Sequence, residues 1–278
     1  MSGLDLPSEG AGLRRATRDD LLGLPVDIAP RLLGARLCTV VDGEEVRIRI
    51  TEVEAYHGAG TGGIPDPGSH ARMGRTARNA TMWGEPGHLY VYLSHGIHSC
   101  VNVVSGPEGS AGGVLLRAGK VETGAAVAAV RRGVRGGFGP GVRPEVGSEL
   151  SRSEGRMGVR APVDADSAEF STRQLRDLAR GPGRFGQASG LRHPRHDGID
   201  AISGAERAGA RAELWLADPL DEIATGPRVG VAGVAGTDAF PWRFWIPQDP
   251  TVSPFRWGRG AAEAAVGRDA PGDGPVLE

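Results

Sequence analysis

The 278-residue chain sets 32 Lys+Arg against 34 Asp+Glu for a net charge of −2, which excludes a polycation that grips nucleic acid by bulk charge alone. Hydrophobic residues at 39% and charged residues at 24% fit a globular domain with a sizeable core, and no run of about 18 apolar residues is present to span a bilayer. Gly (45) and Pro (20) make up almost a quarter of the chain, which argues against a helix bundle.

Residues 1–20 are polar and Gly-rich and predict a disordered segment. A helix is expected near 27–33. The runs 36–41 (RLCTVV) and 45–53 (EVRIRITEV) flank Asp42-Gly43, a hairpin signal. Val46, Ile48 and Ile50 alternate with Arg47, Arg49 and Thr51, so one strand face is buried. Further on, alternation puts Glu52, Glu54 and Tyr56 on a common face, opposite Thr51, Val53 and Ala55. A helix is expected near 73–83, followed by strands at 88–93, 99–104 and 114–118, then a helix near 121–132. The stretch 133–168 is Gly/Pro-rich and charged, and reads as a mobile loop or insertion. Ser171-Thr-Arg-Gln174 has the form of a capping box and opens a helix near 171–180. Later strands are expected at 212–216, 227–234 and 243–246, and 259–278 as a disordered tail. The pattern is α+β: a single domain, 21–258, with a curved, mostly antiparallel sheet and inserted helices.

Charge is uneven along the chain. Residues 1–69 carry 7 basic and 11 acidic side chains, 70–185 carry 16 and 10, and 186–278 carry 9 and 13. On charge alone the middle third reads first as a solvated Arg-rich surface and second as an anion-facing one. Cys38 and Cys100 are the only cysteines, too few for a disulfide framework or a cysteine zinc site, and the N-terminal stretch lacks a signal peptide's apolar core. A reduced cytoplasmic setting is expected. Gly58-x-Gly60-x-x-Gly63 follows a strand, but Pro65 and Pro67 stand where a dinucleotide-binding helix should begin. His95-x-x-His98, with His88 and Cys100 nearby, has no carboxylate at helical spacing, so no metal site is assigned. His193 and His196 fall in a polar loop and read as surface residues.

The words EVEAY, SHARMGRTARN, MWGEPGHLYVYLSHGIHSCVNVV, GGVLLRA, GPGRFGQA and RVGV occur in that order. Together they resemble the 3-methyladenine (alkyladenine) DNA glycosylase family, from about Leu24 to about Trp257. The resemblance implies a single mixed α/β domain, without metal or cofactor, that flips a damaged purine out of double-stranded DNA and hydrolyses its N-glycosidic bond. It implies Glu54 as the general base. Arg117 and the backbone carbonyl of Val229 would position the attacking water. Tyr56, His70 and Tyr92 would wall the base pocket, and Asn102 would crowd the purine edge and help reject guanine. His95 stands at the wedge position, where Tyr is more usual. Arg72, Arg75, Arg78 and Arg184 suit phosphate contacts, Arg184 standing where Lys is common. The loop from His57 to Ser69 is several residues longer than the family pattern and adds His57 as a second imidazole.

Lys120 is the only lysine, so an amine for Schiff-base chemistry is scarce and a monofunctional enzyme that leaves an abasic site is expected. A nucleoid-associated monomer is the expected form. Two other readings stand beside it: a catalytically weak damage-binding protein on the same fold, and a His-ligated metal hydrolase.

Overall fold

Residues 12–59, 63–134 and 170–266 are described by a computed structural model of the chain. In chain order these residues form β1 (Leu13–Arg15), α1 (Pro25–Ile28), β2 (Arg36–Val41), β3 (Glu44–His57), β4 (His88–Ser94), β5 (His98–Val104), β6 (Gly112–Thr123), α2 (Ala125–Arg131), α3 (Thr172–Asp177), β7 (Ala179–Arg180), α4 (Pro182–Ser189), β8 (Ile199–Asp200), β9 (Ala210–Ala217), β10 (Ala224–Gly226), β11 (Arg243–Trp245) and α5 (Ala261–Val266). The strands make one sheet in the order β1-β9-β2-β3-β6-β5-β4-β8, with β11 also on β3, β10 on β11 and β7 on β6. Every pairing is antiparallel. The architecture is the α+β single domain expected, with a curled sheet and few helices.

The β2–β3 hairpin turns at Asp42 (φ 54°) and Gly43 (φ 83°), the two positive-φ positions a tight two-residue turn requires. Strand β3 is the spine of the sheet. Val46, Ile48 and Ile50 belong to the main core, and so do Val53 and Ala55. The change from even to odd positions coincides with register shifts against β6 at Ile50/Glu52 and Glu52/Val53. Strand β6 switches with it, from Val114 and Leu116 in the core to Val121 packed against it. These bulges let the core face continue while Glu52, Glu54 and Tyr56 turn to the other side of the sheet. Without them, strict alternation would drive two carboxylates into the apolar core beside Ile48 and Ile50.

Helix α3 carries the expected capping box, with Ser171 and Gln174 exchanging backbone-to-side-chain bonds. Helix α4 lies against β5 and β6, and at Gly186 an added Cβ would sit 2.0 Å from the Ser99 carbonyl oxygen, so the close approach admits only glycine. A small second cluster of Ala71, Met82, Tyr90, Val104 and Ala111 packs with Trp83 and Tyr92 behind the loop that precedes β4.

Several expectations are corrected. Leu13–Arg15 pairs with β9, and the Arg14 guanidinium reaches Asp20 at 2.6 Å, so this part of the 1–20 segment is ordered. Ala261–Val266 is helical within the presumed tail. The 73–83 stretch is turns plus one 3₁₀ turn at Ala80–Trp83, because the Asn79 side chain binds the Thr76 N–H and the His70 and Gly74 carbonyls and holds the backbone out of a helix. The 121–132 stretch is divided: β6 runs to Thr123, and Gly124 at φ 75° separates it from α2. Residues 227–234 are not a strand; Gly230 and Gly233 take positive φ and the chain turns into a 3₁₀ segment. His196 is buried rather than at the surface, its Nδ1 accepting from the Arg192 N–H. Most of the 133–168 expectation, with 1–11 and 267–278, lies outside the described residues.

Candidate active site

The carboxylate-bearing end of β3 is clasped by β6 on one side and β11 on the other. The ladder pairs Glu52 with Ala118 and Val53 with Leu116, so Arg117 falls in the bulge between them and aims at both acids. Its Nε donates to Glu52 Oε1 at 3.0 Å and its Nη1 to Glu54 Oε2 at 3.3 Å. Both carboxylates are fully buried and Arg117 nearly so. Burial alone would make the guanidinium easier to deprotonate; Glu54 and Glu52 outweigh that and raise its pKa.

Glu54 is held at both oxygens. The Val229 N–H donates to Oε1 at 2.6 Å, while the Tyr56 hydroxyl donates to Oε2 at 2.9 Å beside Arg117. Burial, then the neighbouring Glu54 charge, push the Tyr56 phenol well above its usual range, so it stays a donor. An ionised carboxylate offers about four acceptor positions, and these three donors occupy three of them.

Glu52 gathers the other half of the network. It accepts from Arg243 Nε at 2.7 Å, Ser253 N at 2.7 Å and Ser253 Oγ at 3.0 Å, as well as from Arg117. Arg117 Nη2 closes the ring on Ser253 Oγ at 3.2 Å. Two acids and two guanidiniums thus cancel inside the sheet. Sequence reading gave no role to Glu52, Arg243 or Ser253; the shared strand face of Glu52 and Glu54 was the available signal.

Next to Glu54 stands an aromatic group. Tyr92 meets His70 edge-on at a centroid distance of 4.6 Å and stacks on Tyr90 at 5.3 Å. Asn102 is buried on β5, its Nδ2 bound to the Tyr90 carbonyl at 3.1 Å. Behind Tyr56, the fully buried Arg228 lies 4.5 Å from the ring centroid and forms a two-pronged pair with Asp66 at 2.7 and 2.8 Å. Neither Arg228 nor Asp66 was picked out from the sequence, since they lie far apart in the chain. His57 is buried against Trp242 at 4.8 Å, whereas His70 is exposed.

The remaining expected residues lie around this centre. His95 is exposed in the β4–β5 turn at φ 50°, beside exposed Ile97. Arg72, Arg75 and Arg78 are exposed on the 70–79 loop; Arg78 donates to the Leu93 carbonyl at 3.3 Å and so ties the loop to that hairpin. A cavity of about 140 Å³ opens there, lined by His70, Arg72, Thr76, Arg78, Asn79 and Tyr90. Arg184 is exposed on α4, and the preceding Gly183 abuts His98 at the turn end of the β4–β5 hairpin. At Val229 the observed contact is through the N–H rather than the carbonyl. A larger cavity of about 240 Å³ near Gly43 and Arg211 lies at the opposite end of the β2–β3 hairpin and contains none of these groups.

The family model described as methylpurine-DNA glycosylase matches residues 21–250. A relative from Leifsonia xyli subsp. xyli is 41% identical over 249 residues, covering 90% of this chain and 96% of its own. One from Nocardia farcinica is 42% identical over 253 residues, with the same coverage of 90% and 96%. One from Streptomyces avermitilis is 39% identical over 243 residues, covering 86% and 91%. Each bears the provisional name 3-methyladenine DNA glycosylase.

Proposed function

Because the chain belongs to the methylpurine-DNA glycosylase family, we propose that it flips alkylated purines, and deaminated purines as a second class, out of duplex DNA and hydrolyses the N-glycosidic bond. The observation that carries this reading is the buried Glu54 carboxylate, gripped by Val229 N–H, Tyr56 O–H and Arg117, beside the Tyr56, His70 and Tyr92 rings.

An N3- or N7-alkylated purine is cationic and is attracted to electron-rich ring faces beyond ordinary stacking. Its base is already a good leaving group. The protein's task is to place water and to stabilise a sugar that gains oxocarbenium character, and a carboxylate does both. Glu54 is the base that takes the water's proton. Arg117 and the Val229 carbonyl hold the water in line. Tyr56 lies on one side of the flipped base and His70 with Tyr92 on the other, while Asn102 crowds the purine edge. His95 fills the gap left in the duplex, and Arg72, Arg75, Arg78 and Arg184 hold phosphates. Flipping costs a few kcal/mol, less at a weakened pair, which adds selectivity. The domain of residues 21–258 acts as a monomer in the cytoplasm, with no lyase step.

The test is release of 7-methylguanine and 3-methyladenine from methylated duplex under single-turnover conditions. Glu54→Gln should lower the rate by at least about 100-fold, the low end for a general base. Borohydride added to the same reactions should trap no protein–DNA adduct. Full activity in Glu54→Gln removes Glu54 as the base.

A further inference from the structure

Arg228 is fully buried, and its guanidinium carbon lies 4.5 Å from the Tyr56 ring centroid and 5.0 Å from that of Trp242. Arg228 covers one face of the Tyr56 ring, and Tyr56 as a whole keeps some exposure. A permanent cation behind an aromatic wall is a poor arrangement for attracting a second cation to the front. Asp66 removes the conflict. It binds Nη2 and Nη1 of Arg228 at 2.7 and 2.8 Å, and is itself held by the His57 and Gly68 N–H groups at 3.0 and 2.9 Å. The arrangement is built to close tolerance: a Cβ on Gly68 would lie 2.8 Å from Arg228 Nη2.

We propose that the Asp66–Arg228 pair is a charge-neutral backing for Tyr56 that sets the site's acceptance of cationic over neutral bases. Asp66 and Arg228 are specificity-determining residues that touch neither base nor water. The inference rests on the reading that a flipped base stacks on Tyr56. Arg228 also precedes Val229, whose N–H binds Glu54, so the same side chain anchors one wall of the pocket and one donor to the base.

A stacked base would lie about 8 Å from the guanidinium, where an unneutralised unit charge at an effective dielectric of about 20 disfavours a cation by about 30-fold. The lesion's positive charge stays within the site as it passes from base to sugar, so the penalty falls on kcat/KM rather than on the chemical step alone.

The experiment compares wild type, Asp66→Asn and the double variant Asp66→Asn/Arg228→Gln, all in the full chain. Duplex containing 7-methylguanine reports the cationic lesion, and binding to a duplex with a tetrahydrofuran abasic analogue reports neutral-site affinity. Asp66→Asn should lower kcat/KM for 7-methylguanine by about 10- to 30-fold and leave tetrahydrofuran binding within about twofold. The double variant, with both charges gone, should regain most of the loss. Equal losses in the single and double variants, or a parallel loss of tetrahydrofuran binding, would show a purely structural pair and overturn the proposal. An unchanged kcat/KM in Asp66→Asn overturns it as well. If wild type releases no 7-methylguanine, the functional reading fails and takes this inference with it; wild-type release with an unshifted variant refutes the inference alone.

Discussion

Glu52→Gln is the substitution that should separate the network from the acid it serves. It preserves shape but replaces a carboxylate that accepts from Arg117, Arg243 and both Ser253 donors with an amide that has one acceptor and an NH₂ group facing other donors. Arg117 and Arg243 then share only the Glu54 charge, leaving one buried positive charge uncompensated. Breaking a buried pair in this way costs about 3–5 kcal/mol. For a chain of this size each kcal/mol lowers Tm by about 2–4 °C, so a fall of about 6–20 °C is expected in a thermal melt. A second readout distinguishes positioning from bulk stability. Losing Glu52 frees the Arg117 Nε that it holds at 3.0 Å, so the guanidinium should be positioned less well and single-turnover excision should slow at a temperature where both proteins are folded, with KM little changed. Glu52→Asp keeps the charge and should recover part of both effects. A Tm within about 2 °C of wild type, together with an unchanged single-turnover rate, would refute the reasoning.

Two further outcomes are expected. Burial lowers the pKa of His57 below the ordinary imidazole value, and neither ring nitrogen has a hydrogen-bond partner among the described residues. The unfolded chain therefore binds the proton more readily, and stability should fall as pH drops from about 7 towards 5. Melts of His57→Leu across that range should show a shallower decline and no loss at pH 8; identical pH dependence in both proteins would show that His57 does not contribute. His95→Ala removes the exposed ring at the β4–β5 turn and should weaken flipping, read as slower single-turnover excision with the fold intact, whereas an unchanged rate would discard the wedge assignment.

The local signals in the chain were legible where chemistry is local. Asp42-Gly43 marks a turn because both positions need positive φ, and Ser171 with Gln174 marks a helix start because their bonds span a single turn. Alternation placed Glu52, Glu54 and Tyr56 together, and the family words singled out Glu54, Arg117, Tyr56 and Tyr92, which the fold brings into one cluster. What could not be read depends on distant partners. Alternation counted through from Val46 puts the acids on the core face; the bulge that prevents this exists only because β3 and β6 adjust to each other. Helix α4 begins with Pro182-Gly183 and contains Gly186, a weak helix former made helical by packing against β5. Arg228 falls in the run 227–234 that reads as a strand, and nothing near it in the chain points to Asp66, the counter-ion brought from the lengthened 57–69 loop.

The placement of charge, rather than its sum, explains how a chain of net −2 can suit a polyanionic partner. Much of its acid is already committed. Glu52 and Glu54 face Arg117 and Arg243, Asp66 faces Arg228, Asp200 faces Arg18, and Asp249 faces Arg49. These pairs cancel at contact distance, and beyond a Debye length of about 8 Å they contribute almost nothing to the field outside. Arg72, Arg75, Arg78 and Arg184 are different: each is exposed, and the side-chain bonds of Arg72 and Arg78 go to carbonyl oxygens, which leave the charge intact. A partner approaching the 70–79 loop and the β4–β5 turn therefore meets guanidiniums that have no carboxylate partner among the described residues, rather than the average of the chain. The acids in these pairs are matched one for one by arginines, so the net charge is unchanged by them; what the sum hides is that the 70–79 loop presents exposed guanidiniums at the surface the proposed reaction uses.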